Sequence, residues 1–287
     1  MLPPPPLPPP STPPPPIRRI VLFDMDETLG IFSDFGAFMN ILNSSLRRRV
    51  RIYDHFNELL DLYPELLRPR ILDIMKFLAR MKRVGKCANV MIYTNNTGPI
   101  SWSNYIKDYF NAKAGYPVFD KVIGAFKRPN GETVEVQRTS HDKTYGDFVR
   151  CSNMMGKFEV FFIDDREHPG MHAENVYVIN VKPYTREISL REFAARFKRS
   201  ALFKKLQLTL DDIAGIDART AGAGAAVYSD KEYEVDKLVG ETILEKLNEF
   251  FGRGGSSRSV RRKRIKTPSA RRGSYLNFTR KNGNMDR

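Results

Sequence analysis

IVLFDMDETLG, residues 20–30, sets four apolar residues directly before Asp24, Asp26 and Glu27 and closes on Thr28, Leu29 and Gly30. An unbroken apolar run of this length predicts a strand buried on both faces, as in a parallel sheet covered by helices. Acids delivered by such a strand are costly to bury unless they are paired or bind a metal. A loop cap or plain turn would also accommodate Asp-x-Asp, so the rest of the chain must decide between the readings.

The pattern repeats along the chain. Apolar runs at 19–24, 89–94, 120–126, 158–164 and 175–181 predict five strands. Helical patterns fill the gaps: residues 35–46, 101–112 and 144–155, and a stronger one in LLRPRILDIMKFLARMKRVG. There Ile71, Ile74, Met75, Leu78 and Met81 recur at helical spacing and Gly85 supplies a stop. Strand–helix alternation predicts an α/β fold, a doubly wound and mostly parallel sheet flanked by helices. A basic amphipathic helix is expected over 190–206, and another over 229–251, with Val235, Leu238, Val239, Ile243, Leu247 and Phe250 as its stripe. The intervening AGAGAA, 221–226, is no phosphate-binding loop, since no strand precedes it and no Lys-Ser/Thr follows. The expected organisation is a proline-rich leader (1–17), a main domain (18–205), a helical extension (206–252) and a basic tail (253–287).

The bulk composition supports this division. Residues 1–16 hold eleven of the nineteen prolines and favour extended polyproline II. The stretch 253–287 carries twelve Lys or Arg against the single acid Asp286, so +11 of the formal +14 sits there and +3 is left for the remainder. The basic charge thus describes a tail, which argues against a nucleic-acid-binding main domain. No run of eighteen apolar residues exists, so no membrane span is expected, and the proline leader does not read as a secretion signal. Cys87 and Cys151 show no pairing pattern and read as two small buried hydrophobes in a reducing, intracellular setting, nucleus or cytoplasm.

In a doubly wound sheet, ligands bind beyond the carboxyl ends of the strands. The polar residues at those ends are Asp24, Asp26 and Thr28 on the first strand, Thr94 and Asn95 on the second, and Asp164 and Asp165 on a later one. Carboxylates converging from separate strands form a hard oxygen site suited to Mg²⁺, and no cysteine or histidine pair competes for zinc.

These motifs resemble a known family. Asp-x-Asp-x-Thr after the first strand resembles the signature of phosphotransferases of the haloacid dehalogenase superfamily. VLFDMDETL, the Leu-Arg-Pro start of LRPRILDIMKFLARM, VMIYTNNTG and VFFIDDREH together look like the branch of C-terminal-domain phosphatases of RNA polymerase II and NLI-interacting-factor-like proteins. The likeness spans about residues 18–185. It implies Asp24 as the nucleophile that becomes an aspartyl phosphate and Asp26 as the acid that protonates the leaving oxygen and then activates water. It implies Thr28, Thr94 and Asn95 around the phosphate, with Thr28 also holding the loop in register. Asp24, Asp26, Asp164 and Asp165 would hold Mg²⁺, with Asp165 the first choice from the last pair.

The family also places a lysine between the second and last motifs. Lys143 in SHDKTYGDF is the candidate and Lys157 the alternative, although the usual Lys-Asp-Leu neighbourhood has become Lys-Thr-Tyr. Arg138 is either a second phosphate contact or, more plainly, a solvated arginine. His168 and His172 read as loop residues, with His168 near the site mouth, and Trp102 as core or groove surface. From Thr28 to Thr94 there are 65 intervening residues, room for a small helical insertion near 31–60 but not for a large lid. An open site suits a phosphorylated side chain on a protein, so the expectation is a Mg²⁺-dependent protein serine/threonine phosphatase. A nucleotide or nucleic-acid-end phosphatase and a non-catalytic phosphopeptide scaffold are the alternatives. The polyproline suits an SH3, WW or profilin-like partner. RRKRIK suits a nuclear-import signal or a polyanion contact, and Ser274 in RRGSY a kinase site.

Overall fold

The five apolar runs form five strands: β1 (Arg18–Phe23), β2 (Asn89–Tyr93), β3 (Lys121–Ile123), β4 (Phe158–Asp164) and β5 (Val176–Asn180). All pair in parallel in the order β3-β2-β1-β4-β5. β1 is therefore central, with β2 on one side and β4 on the other. The chain runs outward from β1 through β2 to β3, then returns to add β4 and β5. The strand order reverses beside β1, where an open parallel sheet leaves a crevice at its carboxyl edge. The computed structural model describes residues 17–46, 50–213, 216 and 228–252. Most of the proline-rich leader, the AGAGAA segment and the basic tail with RRKRIK and Ser274 lie outside these residues.

Alternation along the strands divides the core into two layers. Val21 and Phe23 of β1 join Val90, Ile92, Phe161 and Ile163 on one face. Ile20 and Leu22 join Met91, Tyr93, Val160 and Phe162 on the other. Both sets are buried, which is why these strands read as continuous apolar runs.

The faces are covered unequally. The first packs against α1 (Ser33–Leu46), α2 (Phe56–Leu60), α3 (Ile71–Arg83), α4 (Ile100–Ala114), α6 (Leu190–Arg199), α7 (Ala201–Lys205) and α8 (Asp230–Gly252). The second is covered by α5 (Tyr145–Ser152) through Phe148 and Cys151, with Met171 alongside. Both cysteines are buried and free. Within the expected insertion near 31–60 the described residues form α1, a 3₁₀ turn at Ile52–His55 and α2, and Phe35, Phe38, Met39, Ile52 and Phe56 pack into the main core.

Two expectations change. The helix over 190–206 is broken at Ser200, whose backbone is extended and whose hydroxyl accepts from Phe203 N, capping α7. The stripe of the last helix is also shifted. Val239, Ile243, Leu247, Phe250 and Phe251 are buried, whereas Val235 and Leu238 are exposed. Phe250 meets Phe161 and Tyr177 of the sheet, and Phe251 meets Phe77 of α3. The expected helical extension thus contributes α8 as a layer of the main core. A Cβ on Gly240 would fall 2.3 Å from Pro69 O, so the approach of α8 to the turn before α3 requires glycine. Among the described residues no helix is long and apolar enough to cross a membrane.

Candidate active site

The three central strands end side by side, and each end carries a polar group. Asp24 follows β1, with its N–H bonded to Ile163 O of β4. Thr94 follows β2, and its N–H bonds Ile123 O of β3. Asp164 ends β4 and Asp165 follows it. The parallel register sets the carboxyl ends of β1, β2 and β4 at one edge of the sheet, so residues far apart in the sequence meet there.

The loop after β1 is tightly held. Glu27 adopts a left-handed conformation, φ 59°, which costs a non-glycine residue about 1–3 kcal/mol unless its surroundings enforce it. The enforcement comes from Arg68 of the Leu-Arg-Pro sequence, buried to 1% exposure. Its Nε donates to Thr28 O (2.6 Å), and its Nη2 donates to Glu27 O (2.5 Å) and Lys182 O (2.8 Å). The Arg68 N–H also donates to Leu29 O. Desolvation pushes the guanidinium down to about 10. Sequence reading noted the motif without a role for the arginine; a basic residue between Leu67 and Pro69 at a helix start was the available signal.

Lys143 stands at the centre of the site, 2% exposed. Its Nζ donates to Asp24 Oδ1 and, at 2.7 Å, to Asp164 Oδ2. Lys157 precedes β4, at the opposite end of the strand from Asp164, and is excluded as the site lysine. Asp164 Oδ1 accepts from Arg166 N (2.8 Å). His168 Nε2 lies 3.2 Å from Asp164 Oδ2 but off the line of a hydrogen bond. His168 does reach the site as expected.

Carboxylate oxygens of Asp24, Asp164 and Asp165 all lie within 4.8 Å of one another. Three hard oxygen donors at that spacing fit a divalent cation such as Mg²⁺. The Asp26 carboxylate stands outside this group. Its Oδ2 accepts from Asn96 Nδ2 (2.8 Å), and its buried Oδ1 has no partner.

The hydroxyls are also reassigned. Thr28 Oγ1 donates to Asp165 Oδ1 and accepts from Asp165 N, both at 3.1 Å. It therefore pins the first loop to the last one, and the expectation that it binds phosphate is withdrawn. Thr94 Oγ1 accepts from Asn96 N (3.0 Å), which leaves its proton available to an anion. Asn95 is exposed, whereas its neighbour Asn96 makes the contacts to Asp26, Thr94 and Gly98. Asn96, one residue further on, thus braces the loop beside Asn95.

Arg138 is neither a solvated side chain nor free to grip a ligand with its Nη atoms. It is 2% exposed, and Nη1 donates to Thr94 O (3.1 Å) and Gly124 O (2.9 Å). Nη2 donates to His141 O and Asp142 O, both at 3.1 Å.

Electrostatics separate the acids. Burial, opposed by Lys143 and reinforced by Asp164, pushes Asp24 up to about 7. Burial also raises Asp26, against the hydrogen bond from Asn96, and raises Asp165 with help from Asp164. For Asp164 burial acts in the same upward direction, but His168 and Lys143 together outweigh it and hold the carboxyl low. Asp164 alone of the four is held low, beside the lysine and histidine that face it.

No family model matches this chain, and neither does any curated protein or solved structure. A functional reading therefore rests on the site. It can hold a cation among three carboxylates, offers an ammonium and a hydroxyl proton to an anion, and keeps a second carboxyl with a raised proton affinity beside them.

Proposed function

We propose that this chain is a Mg²⁺-dependent phosphomonoester hydrolase of the haloacid dehalogenase type, acting on phosphoserine or phosphothreonine in proteins. The observation that carries the reading is the contrast between the two acids of DMDET. Asp24 is bonded to an ammonium; Asp26 is bonded to an amide and keeps one buried oxygen unpartnered. The first arrangement suits a carboxylate that must attack, the second a carboxyl that must carry a proton.

Asp24 attacks phosphorus as the bond to the leaving oxygen breaks, and Asp26 gives that oxygen its proton. Water then attacks the aspartyl phosphate and yields its proton to Asp26; the bond between Asp24 and phosphorus breaks and inorganic phosphate leaves. Lys143 and the Thr94 hydroxyl bind the non-bridging oxygens throughout. Asp24, Asp164 and Asp165 would hold the cation, whose charge offsets repulsion between carboxylate and phosphate.

The half-buried Asp26 and Asp165, with exposed Asn95, Thr97 and Arg166 at the rim, support a phosphate presented on a protein chain. The test is phosphate release from phosphoserine peptides. Turnover should require Mg²⁺, stop with EDTA and vanish in Asp24→Asn. Undiminished turnover by Asp24→Asn would overturn the covalent mechanism, and turnover confined to nucleotides or nucleic-acid ends would overturn the protein substrate.

A further inference from the structure

Arg138 has a placement that fold stability explains poorly. It is 2% exposed, and among the described residues no carboxylate lies within ion-pair distance of it. A buried charge without a counter-charge is expensive, and neutral donors could satisfy carbonyl groups without that cost. Its four hydrogen bonds reach three separate segments. Thr94 O belongs to the residue whose hydroxyl faces the site. Gly124 O follows β3, and His141 O and Asp142 O lie immediately before Lys143.

The contacts around Tyr93 close the unit. The Arg138 guanidinium lies over the Tyr93 ring at 5.0 Å, and Lys143 Nζ lies 5.8 Å from the same ring. Tyr93 OH accepts from Thr144 N (3.2 Å) and donates to Thr144 O (3.4 Å). Tyr93 and Thr94 are adjacent on one segment, Lys143 and Thr144 on another, and Arg138 ties the two together from behind.

We propose that Arg138 is a positioning residue that joins the Thr94 hydroxyl and the Lys143 ammonium into one anion-binding unit and places a fixed positive charge behind it. The ligand of this unit is a phosphoryl group, and Arg138 acts on it through Thr94 and Lys143. The cation-binding carboxylates stand at the ends of β1 and β4; Arg138 bonds neither segment and reaches Asp24 and Asp164 only through Lys143, so substitution should weaken anion binding more than cation binding. Lysine at this position keeps the charge but cannot place four planar donors on carbonyls of three segments. This inference deepens the proposed phosphatase reading, but its first readout, binding of inorganic phosphate, does not depend on turnover.

The experiment uses the full chain and the variants Arg138→Lys and Arg138→Met. Calorimetry measures inorganic phosphate binding, a separate titration measures Mg²⁺, and circular dichroism checks the fold. Both variants should weaken phosphate binding about tenfold or more, the range of hydrogen bonds to charged groups. Mg²⁺ affinity should fall several-fold less than phosphate affinity, since the carboxylates feel Arg138 only through Lys143. If phosphopeptide is turned over, KM rises in Arg138→Lys while the Mg²⁺ requirement is unchanged. A folded Arg138→Lys that binds phosphate as the parent does overturns the inference, as does equal loss of phosphate and Mg²⁺ binding. Should neither arginine variant fold, Tyr93→Phe decides. It removes only the bonds to Thr144, and retained phosphate affinity there counts against the coupled unit. A parent chain that binds phosphate but hydrolyses no phosphomonoester refutes the phosphatase reading and leaves this inference standing. A parent chain that binds no phosphate refutes the inference.

Discussion

Replacing Lys143 with methionine keeps an unbranched side chain one atom shorter and removes its charge, leaving Asp24 and Asp164 facing each other at 7% and 1% exposure. At an effective dielectric of about 20, each ammonium–carboxylate contact near 2.7 Å is worth roughly 6 kcal/mol of raw attraction. Most of that is spent on desolvating the ions. Removing one partner of a buried pair nevertheless leaves an uncompensated charge and destabilises by about 3–5 kcal/mol. For a domain of about 150–250 residues each kcal/mol shifts Tm by about 2–4 °C, so the fall should be roughly 6–20 °C.

The loss depends on pH in a definite direction. Asp24 already titrates at about 7, above its ordinary 3.8, because burial favours the neutral carboxyl; Lys143 restrains that rise. Without Lys143 the folded-state value climbs further. A carboxyl whose folded value is raised lowers stability as pH climbs from the unfolded to the folded value, since the folded chain then holds the extra proton. The deficit of Lys143→Met should therefore be smaller at about pH 6, where Asp24 can be neutral and the loss falls on Asp164, than at about pH 8, where both carboxylates are charged. Thermal melts of both chains in EDTA at the two pH values measure it. Equal Tm values at the higher pH, or a deficit that shrinks as pH rises, would refute the placement of Nζ between two buried carboxylates.

Asp26→Asn should raise stability by about 1 kcal/mol in urea denaturation near neutral pH, because it removes a half-buried carboxyl of raised proton affinity whose buried Oδ1 has no partner. The gain should fade as pH drops and the carboxyl takes up its proton. Arg68→Met orphans the carbonyls of Thr28 and Lys182 and leaves Glu27 O with the Tyr184 N–H alone; at about 1–3 kcal/mol for each unsatisfied group it should destabilise strongly, and hydrogen exchange should rise at residues 24–30 before other parts of the sheet. Gly240→Ala forces a Cβ against Pro69 O and should cost about 1–3 kcal/mol in denaturant melts. A neutral result there would contradict the close seating of α8 on the turn before α3.

The sheet was legible because its strands are buried on both faces, so unbroken apolar runs marked five strands to within a few residues. The site's principal carboxylates were legible for a related reason: charge at the end of a buried strand has few purposes. Three things were hidden. Arg68 and Arg138 satisfy backbone carbonyls of distant segments, and nothing local in a sequence distinguishes a buried arginine from a solvated one. The bracing contacts of Asn96 were hidden because the loop after Thr94 turns away from strand geometry, so alternation could not be carried past the strand end. On α8 the stripe moved because Gly240 and buried Asp236 sit on the packed face. Asp236 is held there by Lys182 Nζ (2.8 Å) and Tyr228 OH (2.6 Å), so hydrophobicity alone misplaced that face.

The central claim is that Asp24 carries the phosphoryl group. Asp26→Asn lacks the base for the water step, while an aryl phosphate has a leaving group that needs no proton from Asp26. Incubated with an aryl phosphate and Mg²⁺, then quenched in acid, this variant should hold one phosphoryl group on the peptide containing Asp24, and Asp26→Asn/Asp24→Asn should hold none. Phosphate released by the parent chain with no adduct on that peptide, together with full activity in Asp24→Asn, would contradict the account.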